Sequence, residues 1–331
     1  MQTNTSPVPR AQVQHIEVGP ERAGQRIDNA LITLLKGVPK SLIYRLLRTG
    51  QVRVNSCRVH ADTRLQEGDM IRVPPVRQAN NEGKGQPSDW QIQQLLDAIS
   101  FEDRNFLVLN KPAGMASHGG SGVSFGVIEL LRAARPKEPF ELAHRLDRHT
   151  SGLLVLARRR SALLALQGEI REGRVHKQYL SLLAPALPRT RVDVNAPLYR
   201  SKGGQGERMV RVSARGKPAL TRFREIQRFV ECSLVEATLE TGRTHQIRVH
   251  AAHIEHPVVG DDRYGDRDVN RRFQRLGLKR MFLHSVLFEF EMGSQAYSFS
   301  TPLKSELGAL LEKLDSQHTP RVPISGECRQ P

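Results

Sequence analysis

Apolar positions along this chain come in short bursts, and their spacing predicts a mixture of helices and strands. Leu153-Leu154-Val155-Leu156-Ala157 is a continuous apolar run, which predicts a strand buried on both faces. Ser161 is then expected to cap a helix carrying Leu163, Leu166 and Ile170 on one side. Earlier, Ile27 to Leu35 predicts a short helix ending near Gly37 and Pro39. Ser41 is expected to cap a second helix running to Gly50. On it Leu42, Ile43, Leu46 and Leu47 form an apolar face, with Arg45 and Arg48 on another. Val52–Val54 and Met70–Val73 read as short strands, with Glu67-Gly68-Asp69 as a turn. Lys177-Gln178-Tyr179-Leu180 opens a β-like run. Cys232 to Glu240 reads as a strand, Gly242 as a turn and His245 to about Ile254 as a helix. The stripe Leu307, Leu310, Leu311 and Leu314 reads as core. This irregular alternation predicts an α+β fold.

The same pattern divides the chain. Residues 1–19 lack apolar periodicity and are expected to be a loose tail. Residues 20–77 make a small unit, 78–92 a polar, glycine-containing linker, 93–318 a large unit and 319–331 a Pro/Gly-rich tail. No segment repeats at a fixed period. No apolar run approaches the ~18 residues of a membrane-spanning helix. The first residues lack the apolar stretch of a secretory signal.

Composition narrows the class. The 331 residues are 38% hydrophobic and only 5% aromatic, enough for a core. Three cysteines, Cys57, Cys232 and Cys328, show no paired spacing, so a disulfide scaffold is not expected and a cytoplasmic location is. Lys and Arg number 50 against 34 Asp and Glu, a formal charge of +16. Such a balance points to nucleic acid or another polyanion, although 39 of the 50 are Arg, a skew that genomic base composition also produces. The small unit carries 11 basic against 5 acidic residues in 58 positions, and the stretch 95–317 carries 35 against 25. The small unit is therefore more than twice as charge-dense. A helix pair with a basic face beside a small hairpin suits docking to structured RNA, where phosphates and shape are read rather than sequence.

Two stretches concentrate chemistry. In His144-Arg145-Leu146-Asp147-Arg148-His149-Thr150-Ser151-Gly152, Asp147 sits in a loop feeding the buried strand, flanked by arginines and histidines. Residue types alone leave it either a structural ion-pair partner or a reactive carboxylate. In Gly242-Arg243-Thr244-His245-Gln246-Ile247-Arg248-Val249-His250, Arg243 and Arg248 are candidates for a phosphate or a carboxylate partner.

Gly24-Gln25-Arg26-Ile27-Asp28, Leu42 to Arg48, Gly50, Val52, Val54-Asn55 and Gly68-Asp69 resemble an S4 RNA-binding domain in order and spacing. The HRLDRHTSGLLVLA and GRTHQIRVHAA runs, KQYL and Leu109-Asn110-Lys111-Pro112-Ala113-Gly114 resemble the RluA-type pseudouridine synthases across nearly all of 95–310. Finer signals, GVPKS (37–41), HGGSG (118–122), SFGVIE (124–129) and DDRYGD (261–266), narrow the likeness to members that isomerise uridines of 23S ribosomal RNA. The resemblance implies a mixed, mainly antiparallel sheet with a cleft across it, a cofactor-free isomerase acting as a monomer, and 23S RNA as partner. It implies that Asp147 is the catalytic carboxylate and that Arg248 pairs with it. It implies that Arg145 enters the RNA stack in place of the flipped base, and that Tyr179 lies against the uracil and assists proton transfer at C5. Arg26, Lys40, Arg45 and Arg48 are the expected RNA contacts of the small unit.

Other signals carry less. His245, His250, His253 and His256 match no zinc spacing, so no metal is expected. Gly203-Gly204-Gln205 is expected to sit in a basic loop, 199–217, touching RNA or simply flexible. Gly119 to Gly122 lacks the lysine and spacing of a phosphate loop. The competing classes are a non-catalytic RNA-binding or ribosome-assembly factor, which has no need of Asp147, Tyr179 and Arg248 together, and an RNA methyltransferase, which lacks its glycine-rich cofactor loop here.

Overall fold

The computed structural model describes residues 12–316 apart from 21, 36–37, 77–85, 121–122 and 203–207. The chain forms two compact units, Met1–Gln86 and Pro87–Pro331.

In the first unit, β1 (Gln14–Glu17) precedes helices α1 (Ile27–Leu34) and α2 (Lys40–Arg48). Strands β2 (Arg53–Val54), β3 (Cys57–Arg58) and β4 (Met70–Val73) follow. The sheet order is β1-β4-β2-β3, antiparallel throughout. Ile27, Leu31, Ile43, Leu46, Leu47 and Ile71 share one core, so the apolar face of α2 is buried as its spacing predicts, while Arg45 and Arg48 stay exposed. Two local readings change. Pro39, extended at φ −57° and ψ 137°, is the residue before α2, so Ser41 falls inside the first turn instead of capping it. Gln14–Glu17, read as tail, pairs with Val73–Met70.

The second unit opens with α3 (Asp89–Leu96), whose first residues fall where a linker was expected; Ser88 accepts from the Gln91 amide and caps it. Then come β5 (Ile99–Glu102), β6 (Phe106–Lys111), α4 (Val127–Ala134), β7 (Glu141–Leu142), β8 (Ser151–Ala157) and α5 (Arg160–Arg171). The chain continues through β9 (His176–Leu183), β10 (Arg191–Asn195), β11 (Leu198–Lys202), β12 (Arg208–Val212), β13 (Leu220–Arg228) and β14 (Ser233–Leu239). Helices α6 (Gln246–His253) and α7 (Arg267–Arg275), strands β15 (Leu283–Met292) and β16 (Gln295–Ser300), and α8 (Ser305–Ser316) complete it. Among the described residues the main sheet has ten strands, ordered β10-β13-β14-β9-β15-β8-β6-β5, with β16 on β15 and β7 on β8. Only the β15–β8 pairing in it is parallel, so the fold is α+β with a mixed, mostly antiparallel sheet.

β8 explains why its sequence is unbroken apolar. Leu154 and Leu156 pack on one face with α4 residues Val127 and Leu131; Leu153 and Val155 pack on the other with α5 residues Leu163 and Leu166. Both faces are dry, so alternation disappears, and each buried Leu or Val contributes roughly 2 kcal/mol. Helix α5 starts one residue before Ser161, after an extended Arg159. The stretch read as a basic loop is the hairpin β11–β12, anchored by Leu198, Val210 and Ala219 on Val249 of α6; Gly203-Gly204-Gln205 lies outside the described residues.

Candidate active site

The site is assembled where β8 begins. Gly152, at φ 104°, pairs with Ser285 of β15, and Ser285 pairs with Tyr179 of β9. A Cβ on Gly152 would stand 2.1 Å from the Ser285 carbonyl oxygen, so only glycine admits this close approach. Asp147 lies in the preceding loop, which is fastened from several sides. Ser117 Oγ donates to the Leu146 carbonyl at 2.8 Å and accepts from the Leu146 amide at 3.1 Å. Gly114 N–H donates to the Arg148 carbonyl, and Arg148 Nε donates back to the Gly114 carbonyl. Lys111, fully buried, donates to the carbonyls of Pro112, Met115 and Arg148 at 2.9, 2.7 and 3.3 Å. Burial pushes its ammonium down to about 7, the nearby Asp147 charge opposing. His144, half-buried, stacks on Phe288 and accepts from the Val155 amide through Nε2; burial pushes it down to about 3, so it is a neutral latch.

Arg145, Asp147, Tyr179 and Arg248 line one small cleft, with Thr150, Arg243 and His245. Arg145 is exposed at its mouth. Tyr179 is buried among core residues; burial pushes its phenol up to about 12, the Asp147 charge adding and the neighbouring Ser285 hydroxyl working against it. It is therefore protonated at neutral pH.

Helix α6 delivers Arg248. Its polar residues divide by face: Gln246 bonds Thr241, the Arg243 amide, the Leu220 carbonyl and Thr221. His250 bonds Thr221 and the Ala196 carbonyl. These residues fix the helix and leave Arg248 for the cleft. Its Nη1 is 3.4 Å from Asp147 Oδ2, but its principal partner is Asp261: Nε and Nη2 each donate to that carboxylate at 2.7 Å. The sequence pointed to Asp147 alone. Asp261 is buried, accepts also from the Arg263 and Tyr264 amides, and is held below the usual carboxylate range: burial raises it, and the Arg248 bonds outweigh that. Burial would likewise strip the Arg248 proton, yet Asp261 keeps the guanidinium firmly charged. Asn270 of α7 donates to the Asp261 carbonyl at 2.8 Å and accepts from the Gly260 amide. The ring of Tyr264 lies under the guanidinium, 5.1 Å from centroid to Cζ.

Lys111, His245, Asp261 and Tyr264 were thus missed as site residues, although each stands in a motif already singled out. Three of the four histidines diverge: His245 faces the cleft, His250 the sheet, and His256 bonds the Pro185 carbonyl. Among the described residues no three His, Cys, Asp or Glu side chains cluster as metal ligands.

In the small unit, Arg26 is committed to Asp28 through Nε and Nη2, and Asp28 also accepts from Tyr44 Oη at 3.1 Å. Lys40 is exposed on α2. Arg45 and Arg48 line a groove with Tyr44, Arg58 and His60.

A mostly antiparallel sheet with an Asp–Arg pair at one cleft defines the class, and similarity to known proteins identifies it. Residues 105–253 match the RNA pseudouridylate synthase family. The chain belongs to this family and is an RNA pseudouridine synthase. It is 47% identical over 308 residues to ribosomal large subunit pseudouridine synthase C of Escherichia coli (strain K12), covering 91% of this chain and 97% of that one. Against the protein of that name from Haemophilus influenzae the identity is 46% over 306 residues, with 91% and 95% covered. Human RNA pseudouridylate synthase domain containing 1 superposes with a TM-score of 0.53 at 27% identity, covering 67% of this chain and 96% of that one. Human RNA pseudouridylate synthase domain containing 4 shares the fold, with a TM-score of 0.57 at 23% identity over 68% and 96%.

Proposed function

We propose that the chain converts uridine to pseudouridine at specific sites of 23S ribosomal RNA in the large subunit, with Asp147 as the reacting carboxylate. The reaction breaks N1–C1′, turns the uracil and forms C5–C1′, moving a proton from C5 to N1. The base must first leave its stack. The observation that carries the reading is convergence: Arg145 and Asp147, Tyr179, and Arg248 come from three separate segments and meet at one cleft, with Arg248 on the carboxylate.

Arg145, exposed at the mouth, fills the gap left by the flipped base, its planar guanidinium suiting a base stack. Tyr179 packs on the uracil. Because its phenol rests protonated, a part in proton transfer at C5 requires it first to hand its proton to another group. Asp147 reacts as nucleophile or as base through a carboxylate that Arg248 contacts at 3.4 Å. The small unit, residues 20–77, serves as an S4-type RNA clamp through Lys40, Arg45 and Arg48, with Arg26 held in place by Asp28. The ribosomal names of the relatives support a cytoplasmic location, and the enzyme is read as a monomer that needs no cofactor. Among the described residues no helix is long and apolar enough to cross a membrane.

Tritium release from 5-³H-uridine-labelled 23S RNA tests the assignment. Asp147→Asn is expected to release none while binding RNA and melting as the parent does. Release equal to the parent's removes Asp147 from the chemistry.

A further inference from the structure

His245 occupies a backbone conformation that few non-glycine residues take. It stands just before α6 at φ 56° and ψ 21°, in the left-handed region, with no side-chain capping bond. Glycine or asparagine takes that conformation more readily. The imidazole is nevertheless held there in the cleft wall, and its two nitrogens have different partners. Nδ1 is 2.9 Å from Tyr264 Oη, and Nε2 is 3.8 Å from Asp147 Oδ2.

The neighbours of the two nitrogens together select the tautomer. Tyr264 Oη accepts from the Val210 amide of β12 at 3.3 Å and has its single phenolic proton to give to His245 Nδ1, while a carboxylate faces Nε2. Nε2 then carries the ring proton and aims it at Asp147. The reverse assignment would set a bare nitrogen lone pair against a carboxylate. The gap of 3.8 Å exceeds a hydrogen bond, but such contacts tighten when substrate fills the site. Arg248 Nη1 falls on the same oxygen, Oδ2, at 3.4 Å. Among the described residues, no hydrogen bond or ion pair reaches Oδ1.

We propose that His245 is a positioning residue for Asp147: held by the Val210–Tyr264 chain, it turns the carboxylate so that Oδ2 is tied down and Oδ1 is the oxygen that reacts. This rests on the reading of Asp147 as the reacting carboxylate. It also ties the carboxylate to the β11–β12 hairpin, since Val210 belongs to the small core that seats the hairpin on Val249. The groups facing the imidazole are Asp147 from the loop, Arg248 from α6, and Asp261, Arg263 and Tyr264 from the turn before α7. Burial depresses its protonation, Arg248 and Arg263 adding and the two carboxylates opposing, so the ring is neutral at pH 7.

Two amide replacements separate positioning from packing. The amide nitrogen of glutamine reaches about as far as Nε2, whereas that of asparagine reaches only to Nδ1. Single-turnover tritium release on 23S RNA is expected to slow by about 100-fold in His245→Asn, with half-saturation and melting unchanged, the cost of a misplaced reacting group. His245→Gln is expected to recover to within roughly 5-fold of the parent, because the donor to Oδ2 returns. Tyr264→Phe frees the tautomer and is expected to slow release several-fold, and adding it to His245→Asn costs nothing more. Equal impairment of the Asn and Gln variants, or a His245→Asn rate within about 3-fold of the parent, overturns the proposal. Asp147→Asn run alongside separates the two readings: if it too is active, Asp147 itself is misassigned; if it alone is dead, only the role of His245 falls.

Discussion

Removing the charge of Asp261 without changing its shape is the most informative single perturbation of the site. In Asp261→Asn, Arg248 keeps its packing but loses its countercharge. Arg248 is 4% exposed and its two bonds to Asp261 are both 2.7 Å, so the pair is dry and well formed. Breaking a buried pair by removing one partner costs ~3–5 kcal/mol, and the retained amide oxygen places Asn near the lower end. At 2–4 °C per kcal/mol for a unit of this size, the midpoint should fall by about 6–12 °C. Catalysis should suffer separately. Asp147, 3.4 Å away, becomes the anion on which the guanidinium leans, so the carboxylate is held tighter and tritium release slows while RNA affinity is kept. Thermal unfolding and single-turnover release on the same preparation read both effects. The double change Arg248→Met with Asp261→Leu, which removes both charges, should recover most of the midpoint and none of the activity. The reasoning fails if Asp261→Asn melts within about 2 °C of the parent, or if the double change melts lower than the single one.

Gly152→Ala should cost several kcal/mol or prevent folding, since the new methyl would meet the Ser285 carbonyl at 2.1 Å from a φ of 104°; a near-parental urea midpoint would contradict the packing described. Half-buried His144 and buried His284 are both neutral, pushed down to about 3 and about 4 by burial. Their unfolded forms take up protons below about 6.5 while the folded forms do not, so stability is fully present above that pH and is lost as pH falls toward 4. Each should remove roughly 2 kcal/mol between pH 7 and pH 5, which urea titrations at the two pH values measure; equal midpoints would exclude it. Arg45→Glu with Arg48→Glu should weaken 23S RNA binding and flatten its salt dependence while leaving the melting profile of the large unit unchanged; an unaltered affinity across a salt series would remove the clamp from RNA contact.

Local pattern was readable where burial dictated it. β8 announced itself because both its faces are covered, and α2 because its buried and exposed residues separate cleanly. Misreadings fell where local preference was overridden. Serines at 41 and 161 look like caps, but the chain turns helical a residue earlier, at Lys40 and Arg160. Gln14–Glu17 offers a single apolar residue, Ile16, because an edge strand on a small sheet needs no more. The β11–β12 hairpin looks like a basic loop because, among its described residues, only Leu198 and Val210 are buried. Asp147, Arg145, Tyr179 and Arg248 were legible through motif resemblance. The partners that set their geometry were not, because Asp261 and Tyr264 reach Arg248 and His245 only once the turn before α7 folds back on α6.

That turn explains why Asp147, the carboxylate proposed to react, is not the main partner of Arg248. An Asp147 locked bidentate to Arg248 would have to break two charge-assisted bonds in a dry pocket before reacting, leaving a buried cation uncompensated. With Asp261 as the permanent countercharge, Arg248 is satisfied before and after the reaction. It then offers Asp147 a single long contact at 3.4 Å, close enough to orient the carboxylate and weak enough to release it. The arginine thus works as a fixed dipole on a rigid mount, the preorganised arrangement in which an electrostatic contact costs no reorganisation when charge moves. The expected order of damage follows: Arg248→Lys, which cannot span both carboxylates as a planar fork, should slow release more than it lowers the melting midpoint, whereas Asp261→Asn should do both.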